Sequence, residues 1–208
     1  KEEKKLIMDN TYLFYVLVTL VFSALFSGIE MAYISANKLQ IELQSKQGIL
    51  SGQILSRFVK NPGQFIGTTL IGNTIMLVLY GTFMAFLLED PIRNLLPPAL
   101  VNEGSILVIQ TVLSTIVVLF TGEFLPKSLF MINPNSMLRI FAVPFWGIYL
   151  FMYPLVWMIV WMSRFFITHI LRLEYNEEKP VFTITDLNSF IKEHFHQTKK
   201  EGGKVDID

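Results

Sequence analysis

The chain has no cysteine, which excludes disulfides, thiolate metal sites and a cysteine nucleophile. Charge is scarce as well. Asp, Glu, Lys and Arg supply 16% of the 208 residues, where soluble domains carry about 25%. Lysines plus arginines number 17, as do aspartates plus glutamates, so no basic footprint for nucleic acid exists. A phosphate-cradling Walker loop, a Gly-x-Ser-x-Gly elbow and a His-Glu-x-x-His helix are all missing, and an enzyme is not expected. No internal repeat is evident.

Apolar residues take the place of charge. They make up 52% of the chain, and mean hydropathy is +0.48. Between Thr11 and Leu173 they form four long stretches, each near or above the ~20 residues a helix needs to cross hydrocarbon. An all-α integral membrane protein is the expected class. The first stretch, Thr11–Ile34, is too long for the core of a secretion signal and lacks a small-residue cleavage site, so it reads as a retained span.

From Lys38 to Lys60 the pattern turns amphipathic. Leu39 and Leu43 pair at i,i+4, Gly48 interrupts, and Leu50, Ile54, Leu55, Phe58 and Val59 resume one face. Two short helices at the membrane surface account for this. The second span is expected from Phe65 to Leu88, opened by Asn61-Pro62-Gly63 and closed by Glu89-Asp90-Pro91, and the third from Ser105 to Leu125. Lys38, Lys46, Arg57 and Lys60 follow span one, whereas the loop between spans two and three has only Arg93. The surface helices are therefore expected in the cytoplasm and the amino terminus outside.

The fourth stretch, Leu138–Leu171, contains Pro144, Gly147 and Pro154 and carries basic residues at both ends. A proline-broken re-entrant or membrane-lying hairpin is favoured over a fourth crossing. Residues 1–173 then make one membrane domain, and the polar stretch 174–208 a cytoplasmic linker. Its His194-x-His196 pair reads as solvated histidines. Trp146, Trp157 and Trp161 suit interface anchoring.

Glu123 is the foremost candidate for chemistry, because a carboxylate ending an otherwise acid-free span is costly without a partner. Pro126 has no N–H for the carbonyl four residues back, that of Gly122. A free backbone oxygen beside a carboxylate suits a hard cation. The plainer alternative is an ion pair with Lys127, one turn on. In span one, Ser23, Ser27 and Glu30 share one helical stripe. Serines there also simply pack or bond their own helix. In span two, Gly72-Asn73 offers an amide oxygen, or else an interhelical hydrogen bond.

Phe26-Ser27-Gly28-Ile29-Glu30-Met31-Ala32-Tyr33, Leu70-Ile71-Gly72-Asn73-Thr74 and Gly122-Glu123-Phe124-Leu125-Pro126-Lys127 together resemble the membrane domain of the CorC/CNNM family, over roughly Tyr12 to Leu173. The resemblance implies three transmembrane helices plus a cytoplasmic juxtamembrane belt, assembled as a homodimer in the bacterial inner membrane. It implies a Mg²⁺ transporter with sodium as coupling ion. Its ligands would be Ser23, Ser27, Asn73 and Glu123, with backbone oxygens of Gly72 and Gly122. Family members continue into paired nucleotide-binding regulatory domains, which this chain is expected to stop short of. The competing expectation is a non-transporting scaffold of a secretion or motility apparatus that keeps the fold.

Overall fold

A computed structural model describes residues 2–98 and 101–170. Its helices are α1 (Glu2–Ser35), α2 (Lys38–Lys46), α3 (Leu50–Lys60), α4 (Pro62–Leu95), α5 (Glu103–Val118), α6 (Leu125–Ile132) and α7 (Pro134–Phe165). A π-helical segment, Leu119–Phe124, joins α5 to α6, and another, Phe166–Ile170, follows α7. No strand occurs among the described residues. Four helical rods, Asp9–Ser35, Pro62–Leu95, Glu103–Ile132 and Pro134–His169, are long and apolar enough to cross a membrane. Their outward faces carry Phe14, Val21, Val78, Val108, Ile116 and Leu150, all exposed. Such continuous apolar surface suits lipid as the solvent.

The chain divides into two compact units, one comprising the residues up to Ile34 with Ile66–Pro134, the other Ser35–Phe65 with the residues from Asn135 onward. The first unit is held by close helix approaches. A Cβ on Gly72 would stand 2.5 Å from the Phe26 ring, and one on Gly28 would stand 2.6 Å from Phe130. Small residues therefore set these contacts, as is usual where lipid supplies no hydrophobic drive between helices. Tyr12 stacks on Phe86 at 5.4 Å and Tyr15 on Phe83 at 4.9 Å.

The second unit has an aromatic interior. Phe58 of α3 lies 5.1 Å from Phe65, 5.6 Å from Phe145 and 5.1 Å from Tyr149, ring centre to ring centre. The Tyr149 hydroxyl donates to Gln64 Oε1 at 2.8 Å, and the Arg57 guanidinium sits 5.2 Å over Trp146. In α7 the buried positions Leu138, Ala142, Phe145, Tyr149, Met152 and Val156 recur every three or four residues and form one seam. The two surface helices appear as read from the sequence. Asn37 caps α2 by accepting from Gln40 N–H at 3.2 Å, and Gly48, at φ +79°, makes the left-handed turn into α3.

Three boundaries differ from the sequence reading. The third rod does not end at Leu125 but runs on through α6 to Ile132. The Glu89-Asp90-Pro91 stop does not end α4, which runs on to Leu95 with Pro91 inside it. An i,i+4 pair between Arg93 and Glu89, 3.0 Å, spans that proline. The fourth stretch is one continuous helix with Pro144 and Pro154 inside it, not a hairpin. Prolines are tolerated in membrane helices when neighbouring groups satisfy the freed carbonyls. The expected linker from 174 on lies outside the described residues.

Candidate cation site

Ser23 and Ser27 lie one turn apart on α1 and are both fully buried. Ser23 Oγ donates to Asn73 Oδ1 of α4 at 2.7 Å. Gly122 closes on the same hydroxyl, since a Cβ there would stand 3.4 Å from Ser23 Oγ and 3.0 Å from Val118 Cγ2. Ser23 is thus the point where α1, α4 and the π segment meet. Its proton is committed to Asn73, so its lone pairs remain for another group, and Asn73 Oδ1 retains a second acceptor direction.

Ser27 is different. Hydroxyls in lipid helices commonly bond a carbonyl three or four residues back, and Thr74, Thr82, Thr111, Thr121 and Ser128 all do so here. Ser27 Oγ is buried and has no hydrogen-bond partner. Leaving a buried hydroxyl unpaired costs about 1–3 kcal/mol. An oxygen-seeking ligand would relieve that cost.

Glu123 lies in the π segment, where the Leu125 N–H donates five residues back to the Phe120 carbonyl. This wider register changes the backbone reading made from Pro126. With Leu125 bonded to Phe120 and no donor on Pro126, at least one carbonyl of the Thr121-Gly122 turn is left without its helical N–H. The freed oxygen therefore belongs to that two-residue turn rather than to Gly122 alone. Glu123 is half-buried, and no hydrogen bond or ion pair among the described residues engages its carboxylate, so the Lys127 pairing is not made. Glu123 lines a cavity of about 440 Å³ together with Tyr80, Gln110 and Ser114.

Ser23 is therefore bonded to Asn73 and closely approached by Gly122, with Ser27 one turn below Ser23. Glu123 adjoins them through Gly122, without a hydrogen bond to Ser23, Ser27 or Asn73. Gly72 is spent on helix packing against Phe26. Among the described residues no three His, Cys, Asp or Glu side chains gather. Neutral oxygens and one carboxylate thus lie on adjoining elements, the kinds of group that a hard cation selects.

Three features escaped the sequence reading: the π segment, the buried amide of Gln110, which donates to the Ala85 carbonyl at 3.0 Å, and the Tyr80 hydroxyl, which donates to the Ser114 carbonyl at 3.1 Å. The amide could have been found as a lone polar group within an apolar span. His169 stacks on Phe165 at 4.6 Å and joins no group of three His, Cys, Asp or Glu side chains among the described residues. His194 and His196 lie outside the described residues.

Relatives are found along nearly the whole chain. The cyclin M (CNNM) transmembrane N-terminal domain matches residues 14–205. The UPF0053 inner membrane protein YfjD of Escherichia coli is 24% identical over 142 residues, covering 68% of this chain and 31% of that protein. A UPF0053 protein of Synechocystis is 31% identical over 132 residues, covering 59% and 28%, and one of Haemophilus influenzae is 23% identical over 192 residues, covering 92% and 43%. The chain spans less than half the length of these curated relatives. With the three motifs of α1, α4 and the π segment lying inside the matched region, the chain belongs to the CNNM transmembrane-domain family.

Proposed function

We propose that the protein moves Mg²⁺ across the bacterial inner membrane. The observation that carries this reading is a carboxylate in a membrane helix with no compensating partner, next to a buried Ser23–Asn73 pair and a buried, unpartnered Ser27 hydroxyl. Glu123 supplies the charge. Ser23, Ser27, Asn73 and a backbone oxygen of the Thr121-Gly122 turn supply shape, with water completing the shell of an ion that dehydrates reluctantly. A single carboxylate against a divalent ion favours release as well as capture, as transport requires.

In this reading the amino terminus is outside, α2 and α3 are cytoplasmic, and the ion is exported by alternating access at the expense of a sodium gradient. A homodimer is the working assembly, and nucleotide control belongs to cytosolic domains elsewhere in the full-length protein. YfjD, by its name, is an inner membrane protein, in keeping with the location. The test is Mg²⁺ flux in proteoliposomes. Flux above that of protein-free liposomes, lost in Glu123→Ala, is expected. Binding without flux would favour a scaffold that keeps the ion as a structural part.

A further inference from the structure

Two cavities lie end to end between α4 and α5. The larger, about 440 Å³, has Glu123 in its wall, and the smaller, about 280 Å³, is lined by Glu89, Arg93 and Glu103. Both are bordered by Ala85, Leu107 and Gln110. At that shared boundary the Gln110 side chain, 8% exposed, donates from Nε2 to the Ala85 carbonyl at 3.0 Å and ties the two helices together. On the α5 side, Thr111, Ser114 and Thr115 border the larger cavity between Gln110 and Glu123.

The dimensions match a route across the membrane. Glu103 and Glu123 are twenty positions apart on one helical rod, about 30 Å at 1.5 Å per residue, which is the thickness of the hydrocarbon core. Glu103 has no partner among the described residues, and Glu89 is only partly neutralised by the half-exposed Arg93. The smaller cavity is thus a mouth of net negative charge. We propose that the α4–α5 groove is the path by which the divalent cation passes between Glu123 and the membrane face carrying Glu103, and that Gln110 is its gate. This inference rests on the transport reading above. Breaking the single Gln110–Ala85 bond would merge the cavities. The freed Gln110 side-chain carbonyl oxygen would then offer the ion a neutral ligand about a third of the way from Glu103 to Glu123, with the Thr111 hydroxyl oxygen at the next position and that of Ser114 one turn deeper.

The absence of cysteine makes a clean test available. Single Ser114→Cys and Val112→Cys chains are placed in oriented proteoliposomes and exposed to a membrane-impermeant trimethylammonium methanethiosulfonate. A thiol in hydrocarbon does not ionise and hardly reacts, whereas one in a water-filled route does, so Ser114→Cys should react at least ~10-fold faster than the exposed, groove-remote Val112→Cys. The reaction should come from the face bearing Glu103, and adding Gln110→Ala should quicken it. Thr111→Cys repeats the test should Ser114→Cys fold poorly. Reaction no faster than at Val112, or only from the opposite face, would overturn the route. Calorimetric Mg²⁺ binding, measured on the same chains, tells this failure from failure of the transport reading: binding without labelling removes the path alone, and labelling without binding removes the cargo.

Discussion

The two units solve the problem of packing helices in opposite ways. In the unit built from α1, most of α4 and α5 through α6, Ser23, Ser27, Asn73, Gly72, Gly122 and Gln110 set small and polar groups among buried apolar ones such as Phe26, Ile29 and Tyr80. In the unit built from α2, α3 and α7, Phe58, Phe65, Phe145 and Tyr149 interlock. Aromatic packing of this kind contributes both burial and edge-to-face attraction. The hydroxyls and glycines of the first unit give little of either. They do leave oxygens facing inward and an acid unpaired, and membrane helices carry such costs where function needs them. The proposed transport would draw on the first unit, while the aromatic cluster of the second serves packing.

Substitutions should respect that division. Glu123→Ala should give the largest functional effect, reducing liposome Mg²⁺ flux to the protein-free level while leaving the unfolding midpoint without Mg²⁺ unchanged or raised, because no native ion pair is lost. Flux surviving in that variant would erase the contrast between units. Phe58→Ala should do the reverse. It deletes the ring at the centre of the aromatic cluster and should cost about 3–5 kcal/mol of stability, read from thermal unfolding, with Mg²⁺ affinity unaltered in the folded fraction.

Gly72→Ala tests whether the polar unit depends on close approach. Its Cβ would sit 2.5 Å from the Phe26 ring, so overpacking should cost about 1–3 kcal/mol. It should also weaken Mg²⁺ binding, since Asn73 is the next residue. Phe26→Leu in the same chain should recover much of the loss. Ser27→Ala sharpens the comparison further. Because its hydroxyl has no partner, removing it should leave stability within about 0.5 kcal/mol yet lower Mg²⁺ affinity several-fold. A marked loss of stability would instead reveal a structural hydrogen bond.

A separate effect is expected on pH dependence in the aromatic unit. Burial lowers the Lys38 ammonium from 10.5 to about 8. Between those two values the unfolded chain holds the proton that the folded chain has released, so stability should rise as pH increases from about 8 toward 10.5. Lys38→Met should flatten that slope in thermal unfolding measured across the same range.

Much of this architecture was legible in the sequence, for identifiable reasons. Span lengths follow from the thickness of hydrocarbon, and the Gly48 break between α2 and α3 follows from left-handed backbone that glycine adopts freely. Asn73 and Ser23 could be named because polar groups in apolar helices need a reason to be there. Their mutual bond could not, since pairing between spans fifty residues apart depends on helix rotation. The prolines misled twice. Pro91, and Pro144 with Pro154, read as breaks, yet all three sit inside continuous helices, because the local penalty of proline is outweighed once neighbouring turns and helices are in place. The π segment was invisible because a one-residue change of register leaves no signature in hydrophobic periodicity, and it altered which carbonyls beside Glu123 go unpaired.

The most direct test of the central claim is a calorimetric Mg²⁺ titration of the purified chain beside Glu123→Gln, which keeps the shape of the side chain and removes only its charge. Saturable binding in the parent chain that disappears in the variant is the predicted result, whereas equal affinity in the two would contradict a cation site built on Glu123.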